Sequence, residues 1–400
     1  MPAPESWKKK TALFLVSQIV SIFGSTIVGF VIIWHVAQTT SSGRWMTLSI
    51  LCTMLPQMLA SLWGGVLADR FNRKRIAMAA DAFVGVATLV LAVVFLLGRG
   101  NLRILLGVAM LRAVGSGLQG PAVSAIYPQI VPKEHLTKVN GIYHSIHASF
   151  MLFSPALAAV LLDRAGISWA FFVDVVTAVF AVGILAMIDV PSPEGSEDRM
   201  QRKPVIDGLR RGFAFTFGSR LLKPLVICYA VFFFLHTPVS FLTPIMIGRS
   251  FGGEAWRLSM NEIVWSVGSL LGGVAVSWRG EFRDKVRTIG LCVVAFGVCF
   301  ALLGLVGNFW LYMLAMGVAG FFLPVHTTAQ TVLVQECVGE EMMGRVFSVL
   351  QLIPSGVMPL GMLLFGPLGD LMQIEKILVV TGCLQMILGL VYVGYTKKIR

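Results

Sequence analysis

Charged side chains are scarce in this 400-residue chain. Asp, Glu, Lys and Arg make up 13% of it, whereas hydrophobic residues make up 56%. A typical soluble domain carries about 25% charged residues. A water-soluble fold would therefore have too few charges to cover its surface. The composition excludes a soluble globular protein and indicates that a lipid bilayer surrounds most of the chain.

Signatures of several other protein classes are also missing from the sequence. Its six cysteines form no C-x-x-C pair, so we expect neither a disulfide framework nor a metal site. No G-x-x-x-x-G-K-[ST] phosphate loop is present, which argues against an ATP-driven pump. We find no nucleophile–base pair at a membrane face, so we expect no enzyme activity and no cofactor. The net charge of +12 lies in short bursts between apolar runs, which argues against nucleic-acid binding.

What the sequence has in abundance is long apolar runs. A membrane-spanning helix needs about 20 mainly apolar residues. With that window the sequence predicts twelve spans, at residues 12–37, 46–68, 76–98, 102–126, 141–162, 167–189, 224–248, 258–278, 287–306, 309–334, 345–368 and 375–395. The first run is too long for the core of a cleavable signal peptide. We therefore expect an all-α membrane protein.

The longest polar stretch, residues 191–223, divides the chain near its middle. It begins with turn-forming and acidic residues, continues with a basic segment, and predicts one amphipathic helix around residues 205–217. We expect a six-helix bundle over residues 1–190, this stretch as a cytoplasmic linker, and a second bundle over residues 224–400. A linker of this size leaves no room for a soluble signalling domain, which argues against a transporter-like sensor.

The distribution of Lys and Arg predicts the orientation in the membrane. With the N-terminus inside, 24 of these residues fall in cytoplasmic segments, seven fall on the opposite side, and Arg112 lies within a span. Cytoplasmic loops carry an excess of basic residues. The split predicts that both termini are cytoplasmic, in the bacterial inner membrane.

The two halves of the sequence repeat each other. Glycines and a proline recur at an offset of 203 residues, as Gly117, Pro121 and Gly141 and again as Gly320, Pro324 and Gly344. The pair Gly64–Gly65 has a counterpart in Gly272–Gly273. Duplicated six-helix halves with a central linker are typical of the major facilitator fold, in which the substrate site lies between the halves.

The segment between spans 2 and 3, residues 65–75, reads GVLADRFNRKR. It resembles the major facilitator signature G-x-L-x-D-R-x-G-R-[RK], with Asn72 at a glycine position. Asn is one of the few residues that accept the left-handed conformation expected there. The resemblance implies that Asp69 docks on the N-terminus of the eleventh span and that the basic residues hold neighbouring helices. The gating motif is then formed by Gly65, Asp69, Arg70, Asn72, Arg73 and Lys74. The alternative is that these charges only set the topology.

Four ionisable residues lie within predicted spans. They are Arg112 in span 4, Asp81 in span 3, Asp174 in span 6 and Glu262 in span 8. An ionisable group inside a membrane is costly unless it is paired or hydrated, so it marks a function or a helix-pinning contact. The context of Arg112 resembles the R-x-x-x-G-x-G segment of drug:proton antiporters, in which the arginine supports proton exchange. Both interpretations, proton coupling and a structural pair, stay open here.

Other polar residues lie within the spans and are candidates to line a substrate cavity. They are Gln18, Ser21, Ser25, His236, His326 and Gln330. His144 and His147 have a chelating spacing, but without a third ligand we expect packing instead. Pro238 and Pro244 predict a kinked or partly broken span 7. In span 5, Ser154 and Pro155 belong to a weakened form of the antiporter pattern G-x-x-x-G-P-x-x-G-G, which predicts a kink.

Over nearly its whole length the chain resembles bacterial major facilitator drug exporters, and most closely the macrolide efflux proteins. The resemblance includes the segments at 80–81, 111–112, 131–138, 154–156, 261–263 and 344–348. It implies export of bulky, amphipathic, often cationic compounds, driven by an inward proton flux. We expect the transporter to be a monomer and to need no cofactor. The other interpretation is export of a siderophore or of an endogenous lipid-like metabolite on the same fold.

Overall fold

The computed structural model describes residues 4–132, 135–190, 205–279 and 282–399. Within these residues the chain forms thirteen α-helices and no β-strand. The helices are α1 (Pro4–Thr40), α2 (Gly43–Arg70), α3 (Arg73–Leu96), α4 (Leu102–Ile130), α5 (Leu136–Val160), α6 (Ile167–Ala186), α7 (Val205–Gly218), α8 (Leu222–Phe251), α9 (Ala255–Arg279), α10 (Lys285–Leu305), α11 (Phe309–Cys337), α12 (Glu340–Leu371) and α13 (Ile374–Ile399).

The predicted all-α membrane architecture is confirmed. Twelve of these helices are long and correspond in order to the twelve predicted spans, and α7 lies at the predicted amphipathic segment. Ten of the twelve are long and apolar enough by composition to cross a membrane, and the other two are α5 and α9. Large apolar side chains on the outer faces are exposed, with Trp63 at 70% and Trp278 at 87%. Such faces require an apolar surrounding, which the bilayer provides.

The chain divides into two compact units. Unit 1 comprises Met1–Thr39, Leu48–Glu197 and Glu254–Ser259. Unit 2 comprises Thr40–Thr47, Asp198–Gly253 and Met260–Arg400. In unit 1, α3 packs along both α4 and α6. In unit 2, α10 packs along α11 and α13, while α8 packs along α12 and α13.

Asx residues begin corresponding helices in the two units. Asn72 and Asn101 cap α3 and α4, and Asp284 and Asn308 cap α10 and α11. In each case a side-chain oxygen accepts a hydrogen bond from an amide of the first helical turn, which has no partner within the helix. The left-handed conformation predicted for Asn72 is wrong. Its φ is −63° and ψ is 112°, because an extended backbone points its side chain at the Arg75 amide, 3.2 Å away.

The glycines that recur between the halves bring helices close together in both units. A Cβ atom on Gly64 would lie 3.0 Å from the carbonyl oxygen of Gly117, where α2 meets α4. A Cβ atom on Gly272 would lie 2.1 Å from the carbonyl oxygen of Phe321, where α9 meets α11. Small residues let membrane helices approach at backbone distance. Gly64 and Gly272 thus each allow two helix backbones to approach closely, one in each unit.

A regular ladder of glycines joins α10 to α13. Gly290, Gly297 and Gly304 are spaced seven residues apart on α10, and they face Gly389, Gly382 and Glu375 on α13, at the same spacing. A Cβ atom on Gly297 would lie 2.6 Å from the Gly382 carbonyl oxygen. A seven-residue repeat keeps one seam of a helix facing its partner over several turns. The two antiparallel helices therefore touch along one backbone seam.

Prolines do not interrupt the long helices. Span 7 was expected to be kinked or partly broken; it is not broken, because α8 continues through Pro238 and Pro244 to Phe251. Membrane helices tolerate proline where neighbouring groups satisfy the freed carbonyls. One departure from α geometry follows Pro155 in α5, where Leu161–Ala165 form a single π-helical turn before Gly166.

Candidate functional site

Polar side chains from four helices meet in the apolar interior of unit 1. They form two layers, which we call the Asp81 layer and the Arg112 layer. The first contains Ser21 of α1, Asp81 of α3 and Gln119 of α4, and the second contains Ser25 of α1, Thr88 of α3, Arg112 of α4 and Asp174 of α6.

The layers follow from helix periodicity. Asp81 and Thr88 are seven residues apart on α3, and Gln119 and Arg112 are seven residues apart on α4, which runs the other way. Residues seven apart lie on one helix face, separated by about 10 Å along the axis. The spacing therefore stacks one layer above the other, and α3 and α4 each contribute to both.

The Arg112 layer is electrically balanced. Arg112 is 8% exposed and Asp174 is 1% exposed, and the guanidinium Nη1 donates to the Asp174 carboxylate and to the Thr88 hydroxyl. The Thr88 hydroxyl lies 2.9 Å from the same carboxylate oxygen, and the Ser25 hydroxyl donates to the other at 3.2 Å. A buried charge is tolerated when it is paired and its remaining positions are hydrogen-bonded. The predicted residues Arg112 and Asp174 are thus in direct contact.

The Asp81 layer contains an acid that forms no ion pair with any described residue. Asp81 is 4% exposed, and its Oδ1 accepts from the Ser21 hydroxyl at 2.8 Å and from the Gln119 amide at 2.5 Å. Its Oδ2 has no hydrogen-bond partner in the part of the chain that the structure describes. Both bonds are to neutral groups, so the layer does not balance an ionised carboxylate. Neutralising Asp81 would break no ion pair among the described residues.

Two residues of this site, Thr88 and Gln119, were not among the sequence-predicted ones. Threonine and glutamine are common in membrane helices, so neither stands out alone. The signal that could have found them is their distance of seven residues from Asp81 and from Arg112.

Glu262 and the candidate cavity residues lie elsewhere. Glu262 belongs to α9 in unit 2 and is half-buried. Of the residues predicted to line a cavity, Gln18 is buried within unit 1, and His326 and Gln330 are buried within unit 2. His236 and His326 each stack on Phe232, with ring centroids 5.7 Å and 5.2 Å away.

The first two residues of α3 hold helix ends together. Arg73 donates from Nε to the Ala68 carbonyl and from Nη1 to the Ala125 carbonyl, both at 2.9 Å. Lys74 donates to the carbonyls of Ala186 and Ile188 at 2.8 Å and 2.6 Å. Carbonyls near the C-terminal end of a helix attract cations because the helix dipole is negative there. In this way Arg73 and Lys74 join α2, α4 and the end of α6, while the side chains of Asp69 and Arg70 lie outside the described residues.

The remaining predicted positions lie on α2 and α5. Among the described residues, and apart from the backbone of its own helix, no heavy atom lies within 4 Å of a Cβ built on Gly65. Ser154 is fully buried in α5, and its hydroxyl has no partner among the described residues, whereas Pro155 continues the helix. The side chain of His144 lies outside the described residues, and His147 lies against Tyr143 with ring centroids 6.4 Å apart.

A second charged cluster, not expected from the sequence, lies in unit 2. Asp370, at the end of α12, accepts hydrogen bonds from the Gly43 amide at 2.6 Å, the Arg44 amide at 3.1 Å and the Ser42 hydroxyl at 2.9 Å. Arg249 of α8 lies 3.9 Å from the same carboxylate. A carboxylate is stabilised at a helix N-terminus because free amides and the helix dipole point at it. Asp370 therefore caps the start of α2.

Comparison with known proteins places this architecture in a family. The model of the transmembrane secretion effector family matches residues 4–399. Macrolide efflux protein A of Streptococcus pyogenes is 27% identical over 96% of this chain and 96% of its own length. Multidrug efflux pump Tap of Mycobacterium tuberculosis is 23% identical over 87% of this chain and 83% of its own length.

The fold is also that of solved transporters. A nucleoside transporter structure superposes with a TM-score of 0.73, covering 96% of this chain and 99% of that chain at 12% identity. The two units, the twelve long helices and the family match agree with one another. The chain therefore belongs to the transmembrane secretion effector family of the major facilitator superfamily, and it is a multi-pass membrane transporter rather than an enzyme.

Proposed function

We propose that this transporter exports amphipathic, macrolide-like drugs or secondary metabolites by proton antiport with alternating access. The similarity to a macrolide efflux protein and to a multidrug efflux pump supports this choice of substrate class. The excess of basic residues in one set of loops supports an orientation with both termini in the cytoplasm of a bacterial cell. In this proposal one chain completes the cycle, and the proton gradient supplies the energy.

The observation that carries the proposal is the Asp81 layer. A carboxylate in a water-poor interior is costly when ionised without a cation, and a proton removes that cost. Asp81 is held by neutral donors from α1 and α4, so its protonation changes how those two helices are held to α3. Loading and releasing this proton would then bias the packing of unit 1 and couple proton movement to a conformational change.

The Arg112 layer has a supporting part in this mechanism. Because Arg112 and Asp174 neutralise each other, neither needs to exchange a proton for the layer to be stable. The pair fixes α4 against α6 next to the proton-exchanging layer. Glu262 of unit 2 is the second candidate for proton exchange.

The pairing of Arg112 also bears on the substrate. An anionic siderophore would need an available cation inside the bundle, and Arg112 is the basic residue that the sequence places within a span. In the structure Arg112 is engaged by Asp174 and Thr88. This engagement favours a neutral or cationic substrate over an anionic one.

The proposal is tested by proton movement in proteoliposomes. Purified protein is reconstituted with an imposed pH gradient, a macrolide or an unrelated amphipathic cation is added, and a pH-sensitive dye reports proton flux. We expect substrate-driven flux with the wild type and at least a tenfold lower flux with Asp81→Asn, whose amide is nearly isosteric but does not titrate. Drug binding by that variant should stay within about threefold of wild type.

Two further variants complete the experiment. Asp163→Asn changes an exposed acid near the end of α5 and should transport like the wild type. Glu262→Gln tests the second acid in the same assay. If no drug drives proton flux in the wild type, drug antiport is wrong. If Asp81→Asn couples normally, Asp81 is not the proton carrier.

A further inference from the structure

A large groove lies at one end of unit 2, away from the residues discussed so far. It has a volume of about 700 Å³ and is bounded by the end of α7, the start of α8 and the last turns of α13. In volume it is comparable with small-molecule binding sites, which occupy about 300–1,000 Å³.

The mouth of the groove is basic. Arg220, in the turn before α8, and Lys223, in its first turn, both line the groove and are exposed. Neither forms an ion pair with an acidic residue in the described part of the chain. Tyr395 of α13, 55% exposed, also lines the groove and carries a hydroxyl. A guanidinium, an ammonium and a phenol together provide the donors that a phosphate group accepts.

Deeper in the groove the lining is apolar. Ile227 lies one helical turn beyond Lys223 on α8, and Leu388 lies two turns before Tyr395 on α13, about 10 Å below the mouth. Val391, between these levels, is 60% exposed. Because α8 enters the membrane where α13 leaves it, both walls change from polar to apolar in the same direction. The groove fits a ligand with an anionic head and an apolar tail.

The helix beside the groove has the features of an interfacial helix. On α7 the basic residues Arg210 and Arg211 and the aromatic residues Phe213, Phe215 and Phe217 are all exposed. Amphipathic helices with this composition lie in the plane of the membrane interface. Gly212 fixes α7 on α12, since a Cβ there would lie 2.9 Å from the Arg345 carbonyl oxygen. The mouth of the groove is thus at headgroup level.

We propose that this groove binds an anionic phospholipid, with the phosphate at Arg220 and Lys223 and the upper acyl chains along Ile227, Val391 and Leu388. On the orientation proposed above, the lipid comes from the cytoplasmic leaflet. The charge of the mouth selects against zwitterionic lipids, whose choline or ethanolamine group is repelled by the two cations. Basic pockets between helices at the cytoplasmic side are suited to anionic headgroups.

Native mass spectrometry of the purified full chain tests the proposal, with phosphatidylglycerol and phosphatidylcholine titrated in parallel. We expect the wild type to retain phosphatidylglycerol in preference to phosphatidylcholine. The double variant Arg220→Gln/Lys223→Gln should bind phosphatidylglycerol roughly 30-fold more weakly, about fivefold for each lost cation. Its affinity for phosphatidylcholine should not change.

The matched control removes two exposed cations elsewhere, in Arg99→Gln/Arg103→Gln, and should leave the preference intact. A second variant, Leu388→Trp, fills the apolar part of the groove without changing any charge, and should weaken phosphatidylglycerol at least fivefold. Equal losses in the two double variants, or wild-type binding by Leu388→Trp, would show a diffuse charge effect and overturn the proposal. Displacement of the lipid by inorganic phosphate or by a macrolide would overturn it as well, because the groove would then hold a different ligand.

Discussion

Removing the acid of the Arg112 layer should destabilise the protein strongly. In Asp174→Asn the guanidinium of Arg112, 8% exposed, keeps its charge but loses the carboxylate that balances it. Removing one partner of a buried ion pair costs about 3–5 kcal/mol. At about 2 °C for each kcal/mol, a value typical of larger domains, the apparent melting temperature should fall by roughly 6–10 °C.

The double variant Arg112→Met/Asp174→Asn tests whether the instability of the single variant comes from the unbalanced charge of Arg112. It removes the cation and the anion together and fills the space of the guanidinium with an apolar side chain. Replacing a buried ion pair by apolar groups is often close to neutral. We therefore expect the double variant to melt within about 2 °C of wild type, although it carries one more substitution than the unstable single variant.

The measurement is the fraction of protein that remains monodisperse in size-exclusion chromatography after heating in detergent. The control is a partly exposed ion pair of unit 2, Lys285–Glu336, whose Nζ and Oε1 atoms are 2.8 Å apart. Glu336 is 54% exposed, so Glu336→Gln should cost less than about 1 kcal/mol. If Asp174→Asn is no less stable than Glu336→Gln, the inference of a buried balanced pair is refuted. Transport by the double variant then decides between the structural and the proton-coupling interpretations of Arg112.

Two further predictions concern packing and capping. Gly297→Ala should lower the yield of folded protein and its melting temperature, since the new Cβ would lie 2.6 Å from the backbone of α13. The control Gly183→Ala, at a position with open space around it, should melt like the wild type in the same heating assay. Asp370→Ala should leave the first amides of α2 without their acceptor and lower the stability of that helix end by about 0.5–2 kcal/mol. Hydrogen exchange at the Gly43 and Arg44 amides should then accelerate roughly 2- to 30-fold. Unchanged exchange would refute the cap.

The helices of this protein could be predicted from the sequence because the bilayer sets one length for all of them. Each apolar run of about 20 residues had to become a span, and the amphipathic pattern of α7 is also local. Arg112 and the three acids could be found for a similar reason, since an ionisable residue is conspicuous in an apolar run. The sequence therefore predicts which helices carry these residues, but not which side chains they contact.

Contacts between distant parts of the chain could not be predicted. Asp370 lies more than 300 residues from Gly43, and nothing in the local pattern of either residue indicates the other. The pairing of Arg112 with Asp174, rather than with Asp81, depends on which faces of α3, α4 and α6 meet. The conformation of Asn72 was missed for another reason: its side chain suits two roles, and the helix cap prevailed over the left-handed turn.

The glycine seam between α10 and α13 has a consequence for the order of events during synthesis. Two further helices, α11 and α12, are made after α10 and before α13, which at 5–20 residues per second takes on the order of ten seconds. Through that interval the row of glycines on α10 has no helix opposite it. A nascent chain that lacks its last helix thus displays a smooth, unfilled backbone stripe to the lipid. Completion of the seam marks the moment at which unit 2 becomes a finished bundle.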